Sequence, residues 1–254
     1  MGRGADTTET DRPPVSAEGA RGRIPHPFAL TWRDGCFLHW PVDPDELRPR
    51  IPDPLEPDTR DGRAWIGVLP FVAAKAGLRG TPRLLRWSVP EINVRTYVTY
   101  RGDPGLFFVS IDIDSAALAN GIGRFSRLPV RRARMHVSRT DDRVSFASAR
   151  ESADEPPARF AASYSPAGEA TFPEPGTLAA WLTERRRFYA PANGDVLAAE
   201  VAHAPWPLRP ANVTLHENTM VAANRLPPPT DGPIAHFCDE LPMTASVPRR
   251  LRHR

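Results

Sequence analysis

Between Pro90 and His136 the chain alternates polar and apolar residues with a period of two. In an extended strand the side chains at i, i+2 and i+4 share one face. In PEINVRTYVTY this puts Glu91, Asn93, Arg95 and Tyr97 together, with Val94, Thr96 and Val98 on the other side. After a turn at Arg101 to Gly105, LFFVSIDID repeats the device. Phe107, Val109, Ile111 and Ile113 face one way, and Phe108, Ser110, Asp112 and Asp114 the other. A hairpin of the two runs is expected to set the polar stripes side by side. A closed sheet with that side inward makes a polar-lined cavity, and an open sheet with it outward makes a solvated surface. The local pattern leaves both open.

The rest of the chain reads as a meander of strands with few helices. Phe28 to Trp40 carries strand character, and Asp43 to Arg50 is a capped helical turn closed by Pro52 and Pro54. Ala64 to Ala73 (AWIGVLPFVA) is apolar on both faces, as a buried central strand is. Gly77 to Trp87, with Arg79, Arg83, Arg86 and nearby Lys75, reads as a solvated basic loop. Ser115 to Phe125 predicts a Gly-weakened helix, and Leu178 to Phe188, capped by Thr177, the strongest helix of the chain. LPVRRARMHV, RVSFASA, Arg159 to Tyr164, Ala199 to Ala204, Val213 to His216 and IAHFCDEL predict further short strands. Residues 1–24 are polar and rich in Gly, Pro and charge, so a disordered tail is expected there. PRRLRHR reads as a frayed basic end. One domain over residues 25–250 is the economical organisation.

Composition narrows the function classes. The 254 residues are 41% hydrophobic and 25% charged, which suits one sizeable β-rich domain. No apolar run approaches the ~20 residues of a membrane helix, and the N-terminus lacks a signal-peptide pattern, so a cytoplasmic protein without a membrane partner is expected. Cys36 and Cys238 stand outside any ligand spacing and read as reduced and buried. Arg131, Arg132, Arg134 and Arg139 bring charge without interleaved aromatics, so no nucleic-acid partner is expected. Phosphate-loop, dinucleotide, HExxH and GxSxG motifs are missing, and neither metal nor cofactor is expected. Lys75 is the only lysine, so only one side-chain amine can form a Schiff base.

Two segments carry a resemblance. DIDSAALANGIGRFSRLPVRR runs in the order strand, acidic turn, helix, proline and basic pair that marks acetoacetate decarboxylases. CFLHWPVDPDELRPRIPDPLEPD and NVTLHE resemble an early and a late part of the same fold. FLHWPVDPDELRPRIP, DGRAWIGVLPF, PEINVRTYV, LPVRRARM and WPLRPA are similar to its uncharacterised YqjF-like branch, over roughly Phe28 to Arg250. The resemblance implies a mainly β (α+β) fold: a curved antiparallel sheet closed into a cone-like barrel with a few covering helices. It also implies a homo-oligomer. In the decarboxylases a lysine of the basic pair forms an imine with a β-keto acid. Here Arg131 and Arg132 match that pair, and a guanidinium cannot serve as the nucleophile. Glu91 matches an acidic residue of the family, whose early arginine falls near Pro41.

The expected site follows from stripe and resemblance together. Glu91 and Arg132 are the candidate catalytic residues, with Asn93, Arg95, Tyr97, Arg131 and Glu217 as substrate contacts. Arg95 and Arg132 suit bidentate grip on a carboxylate, and a cavity raises the pKa of Glu91 and Glu217. The expected ligand is a small organic acid or carbonyl compound, handled without imine chemistry. The alternative is a non-catalytic ligand-binding or scaffold protein, in which Glu91 and Arg95 form a buried ion pair that sets register.

Overall fold

The computed structural model describes residues 24–150, 156–192 and 194–251. The tail expected over residues 1–24 lies outside them except for Ile24. The order of elements is β1 (Phe28–Val42), α1 (Pro44–Leu47), β2 (Glu56–Pro57), β3 (Ala64–Leu78), β4 (Trp87–Tyr100) and β5 (Asp103–Ile113). Then come α2 (Ala116–Ser126), β6 (Val130–Arg132), β7 (Arg134–Thr140), β8 (Arg143–Arg150) and β9 (Ala158–Pro166). The chain continues with α3 (Leu178–Thr183), β10 (Arg187–Ala192), β11 (Asp195–His203), β12 (Arg209–Asn218), α4 (Met220–Ala223), β13 (Ile234–Ala245) and β14 (Arg249–Leu251). The described residues are mostly β, at 58% strand.

The strands join in one sheet, ordered β14-β11-β10-β5-β4-β3-β1-β13-β12-β9-β8-β7. A further pairing of β11 with β13 links the path back on itself, so β1, β3, β4, β5, β10, β11 and β13 form a closed circuit. Pairs are antiparallel except for β5, which runs parallel to both β6 and β10. The main core covers one face: Cys36, Leu38 and Trp40 of β1, Ile66 and Val68 of β3, and Ile92, Val94 and Val98 of β4. These pack with Val144, Phe146, Phe160 and Tyr164 from β8 and β9. Alternation therefore did its work strand by strand.

The β4–β5 hairpin corrects the expected placement of the two stripes. Its turn residues Arg101 and Gly102 have φ of 56° and 82°, the left-handed pair of a tight two-residue turn. Val94 pairs with Ser110 but Arg95 with Phe108, so Val109 is extra and the strand bulges there. Residues directly opposite share a face. Glu91 thus stands beside Ile113 and Asn93 beside Ile111, while Asp112 stands beside Ile92 and Ser110 beside Val94. The polar stripes lie on opposite faces of the hairpin. Asp112 is buried on the core side and pairs with buried Arg150 at 3.1 Å.

Three other elements differ from the sequence expectation. The helix expected from Leu178 to Phe188 stops at Thr183, because Arg187 and Phe188 are drawn into β10 and pair with Glu200 and Ala199. The basic end is not frayed as far as Leu251: β14 pairs with β11, Leu251 against Val196. Ala133 breaks LPVRRARMHV into β6, which joins β5, and β7, which joins β8. That break explains the half-phased alternation of the segment.

Candidate functional site

On the face of β4 away from the main core, Glu91, Asn93, Arg95 and Tyr97 stand in a row, as alternation predicts. Gly67 pairs with both Arg95 and His39, making a row His39–Gly67–Arg95 across β1, β3 and β4. The glycine leaves room for the imidazole. A Cβ built on Gly67 would lie 3.0 Å from His39 Cδ2 and 2.9 Å from Leu69 Cδ1.

His39 is fully buried, and its Nε2 lies 2.9 Å from the Tyr97 hydroxyl. Tyr97 in turn donates its one proton to the Leu182 carbonyl at 2.6 Å. The hydroxyl must then accept from His39, which places the imidazole proton on Nε2 and a bare lone pair on Nδ1. Nδ1 is buried with no hydrogen-bond partner. Burial, then the charge of Arg95, then His236 hold the His39 pKa well below its ordinary value, so the ring is neutral. Burial raises the Tyr97 pKa, with Arg95 pulling the other way.

Arg95 is 7% exposed, yet its guanidinium meets no carboxylate within 4.0 Å among the described residues. Nη2 reaches the Leu182 carbonyl at 3.4 Å, the guanidinium lies 5.8 Å from the Phe37 ring centre, and Nε has no partner. The buried ion pair with Glu91 is therefore not formed. Two more imidazoles belong to this region. The His203 pKa is pushed down to about 4, chiefly by burial, with Arg186 and Arg95 adding to the effect. Burial lowers the pKa of His236, whose Nδ1 is also unpartnered. A buried cation with neutral imidazoles around it is short of negative charge.

Glu91 is partly buried, and Asn93 Nδ2 donates to it at 3.2 Å. Burial pushes its carboxyl from 4.5 to about 7, against the Asn93 hydrogen bond and with help from Asp112. Asn93 Oδ1 is left without a partner. The wall beyond is aromatic: Trp32 stacks on Phe71 at 3.9 Å, and Trp206 meets Phe37 edge-on at 4.9 Å. Above the row sits α3, whose Trp181 ring lies 4.6 Å from that of Tyr97. Arg185 covers both rings and pairs with Asp58 at 2.8 Å.

The other expected site residues are placed elsewhere. Arg132 extends the row Glu91–Ile113–Arg132 on the same face but is exposed, whereas Arg131 stands beside Asp112 on the opposite face. Both line a groove of about 580 Å³ with Asn120, Arg134 and Arg150, between α2 and β6. A second groove of about 520 Å³ lies beside α3 and includes Trp181 and Arg185. Neither groove is lined by Glu91, Asn93, Arg95 or Tyr97. Glu217 is exposed on β12 next to Ala161, four strands along the sheet from β4, and takes no part in the row. Lys75 pairs with Glu240 at 3.7 Å near the outer end of β3. Burial pushes the Cys238 thiol up to about 12 and the Cys36 thiol higher still, the inert state expected for them. Among the described residues no group of three His, Cys, Asp or Glu is arranged to hold a metal, and no helix is long and apolar enough to cross a membrane.

Sequence reasoning missed His39, His203 and His236. The available signal was Gly67, a glycine inside an otherwise continuous apolar strand, where a neighbouring side chain needs its space.

The arrangement of sheet and covering helices is shared with solved proteins of one class. The enduracididine biosynthesis enzyme MppR complexed with pyruvate superposes with a TM-score of 0.64 at 17% identity, over 93% of this chain and 94% of that one. An acetoacetate decarboxylase-like enzyme from Sphingomonas wittichii RW1 gives 0.61 at 13%, over 91% and 95%. Acetoacetate decarboxylase from Legionella pneumophila gives 0.58 at 14%, over 94% and 92%. By fold the protein is acetoacetate decarboxylase-like. Residues 29–242 match the family DUF2071, described as an uncharacterized conserved protein, and the chain belongs to that family. It is 36% identical over 208 residues to the uncharacterized protein YqjF of Bacillus subtilis (strain 168), covering 82% of this chain and 85% of that protein.

Proposed function

We propose that this chain, as one domain over residues 25–250 with its sheet closed into a cone-like barrel, binds a small organic acid or carbonyl compound beside β4. Arg95 anchors the carboxylate of the ligand, and the single observation that carries this is its buried guanidinium without an acidic partner among the described residues. Asn93 Oδ1 and His39 Nδ1 are free acceptors for a ligand hydroxyl, and Tyr97 fixes the His39 ring that offers one of them. Glu91, held near neutrality, gives or takes a proton at the adjoining carbon or oxygen. Imine chemistry is not part of this reading. Arginines stand at both positions of the basic pair, and Lys75 is an ion-paired residue on another strand.

Pyruvate, the molecule bound to one protein of similar fold, is the first probe. Calorimetric titration with pyruvate, acetoacetate and short hydroxy acids tests the reading in wild type and in Arg95→Met. Saturable binding weakened at least tenfold in the variant is the expected result, and equal affinity in both proteins, or none for any carboxylate, rejects it. Turnover of a bound acid that is lost in Glu91→Gln marks an enzyme. Binding without turnover marks the non-catalytic alternative.

A further inference from the structure

The β3–β4 hairpin ends in an arm whose apolar side chains are largely exposed. Leu84 is 97% and Leu85 65% exposed, with Trp87, Leu78 and its cross-strand partner Phe28 also uncovered. Arg79 and Arg83 are exposed on the same arm, and no Asp or Glu occurs between Lys75 and Pro90. A contiguous apolar patch rimmed by one sign of charge marks an interaction surface.

The segment between β9 and α3 is its chemical complement. Phe172 is 64% exposed between exposed Glu169 and Glu174, and no Lys or Arg occurs from Ala161 to Thr177. The segment is held in shape: Thr171 exchanges backbone hydrogen bonds with Leu208, and Arg60 donates to the Gly176 carbonyl at 2.7 Å. Within one chain neither surface covers the other, since both remain exposed.

We propose that the arm of one copy docks on the Glu169 to Glu174 segment of a second copy, with Leu84 and Leu85 against Phe172 and Arg79 and Arg83 against the two glutamates. A second copy satisfies both surfaces at once, whereas an anionic lipid surface would satisfy the arm and leave Phe172 and its glutamates bare. One surface meets a different one, so the contact is either made twice in a two-fold dimer, each arm on the other copy's segment, or head-to-tail and closed as a ring. This inference is independent of the ligand reading.

Sedimentation velocity of the full chain tests it, with Leu84→Asp/Leu85→Asp as the arm variant and Phe172→Asp as the segment variant. All three are surface positions, and unchanged circular dichroism confirms folding. Expected are an oligomeric wild type, self-association weakened at least tenfold in each variant alone, and a heterodimer on equimolar mixing, where one intact arm meets one intact segment. A monomeric wild type overturns the proposal. Failure of mixing to restore association does so too, because an intact arm then does not meet an intact segment. A monomer that co-sediments with phosphatidylserine vesicles through Leu84 and Leu85 makes the arm a membrane contact and equally overturns it.

Discussion

His39 and Tyr97, 58 residues apart, share a hydrogen bond whose direction is set by a third group, the Leu182 carbonyl. The carbonyl takes the only phenolic proton, so the imidazole must donate. Tyr97→Phe removes the acceptor of one buried donor, His39 Nε2, while the Leu182 carbonyl keeps Arg95 Nη2 at 3.4 Å. A buried group left unsatisfied in this way costs about 1–3 kcal/mol. Urea denaturation of Tyr97→Phe is expected to show a loss in that range with an unchanged slope, and carboxylate affinity falls as the His39 ring loses its fixed orientation. Wild-type stability in the variant would mean that the relay is not formed.

The buried pair Asp112–Arg150 gives a second expectation, on the opposite face of the hairpin. Removing one partner leaves a charge where water does not reach, which costs about 3–5 kcal/mol. Arg150→Met is expected to lose that much stability. The double variant Asp112→Asn/Arg150→Met regains part of it, since the buried carboxylate is removed together with its cation. A double variant that loses the full sum of the two single losses would show that the pair is not coupled.

How much of this was legible in the sequence depends on whether the cause was local. The faces of β4 follow from alternation, the burial of β3 on both sides from its unbroken apolar run, and the extent of α2 from Ser115 and the residues after it. The relation between two strands does not. One extra residue at Val109 decides which stripe of β5 joins the Glu91 row, and nothing in LFFVSIDID announces it. The end of α3 was misread for a similar reason: Arg187 and Phe188 have good helix company in sequence, but pairing with β11 and β5 overrides it. His39 was missed because its role exists only once β1, β3 and β4 lie side by side.

Gly67 supplies a third expectation. A methyl group there meets Leu69 Cδ1 at 2.9 Å and the His39 ring at 3.0 and 3.2 Å, so the imidazole must shift. Overpacking of this kind costs about 1–3 kcal/mol. Gly67→Ala is expected to lower stability in that range and to weaken pyruvate binding, measured by denaturation and calorimetry on the same preparation. Unaltered binding with lowered stability would detach His39 from the ligand site.

The pH dependence of stability tests Glu91. Its folded pKa, about 7, lies above the ordinary 4.5, so between these values the folded chain holds a proton that the unfolded chain has released. Stability from this group is therefore present in full below pH 4.5, declines as pH rises through 7, and is flat above. One pKa unit corresponds to ~1.4 kcal/mol, and for a partly buried carboxyl the decline is on the order of 1–3 kcal/mol. Glu91→Gln keeps the shape without the titration. Compared by denaturation at pH 5 and pH 8, the wild type is expected to lose stability relative to Glu91→Gln on going to pH 8. The opposite sign would mean that the carboxylate has a cationic partner in solution, and Arg95 at the near end of the same row would be the first residue to replace.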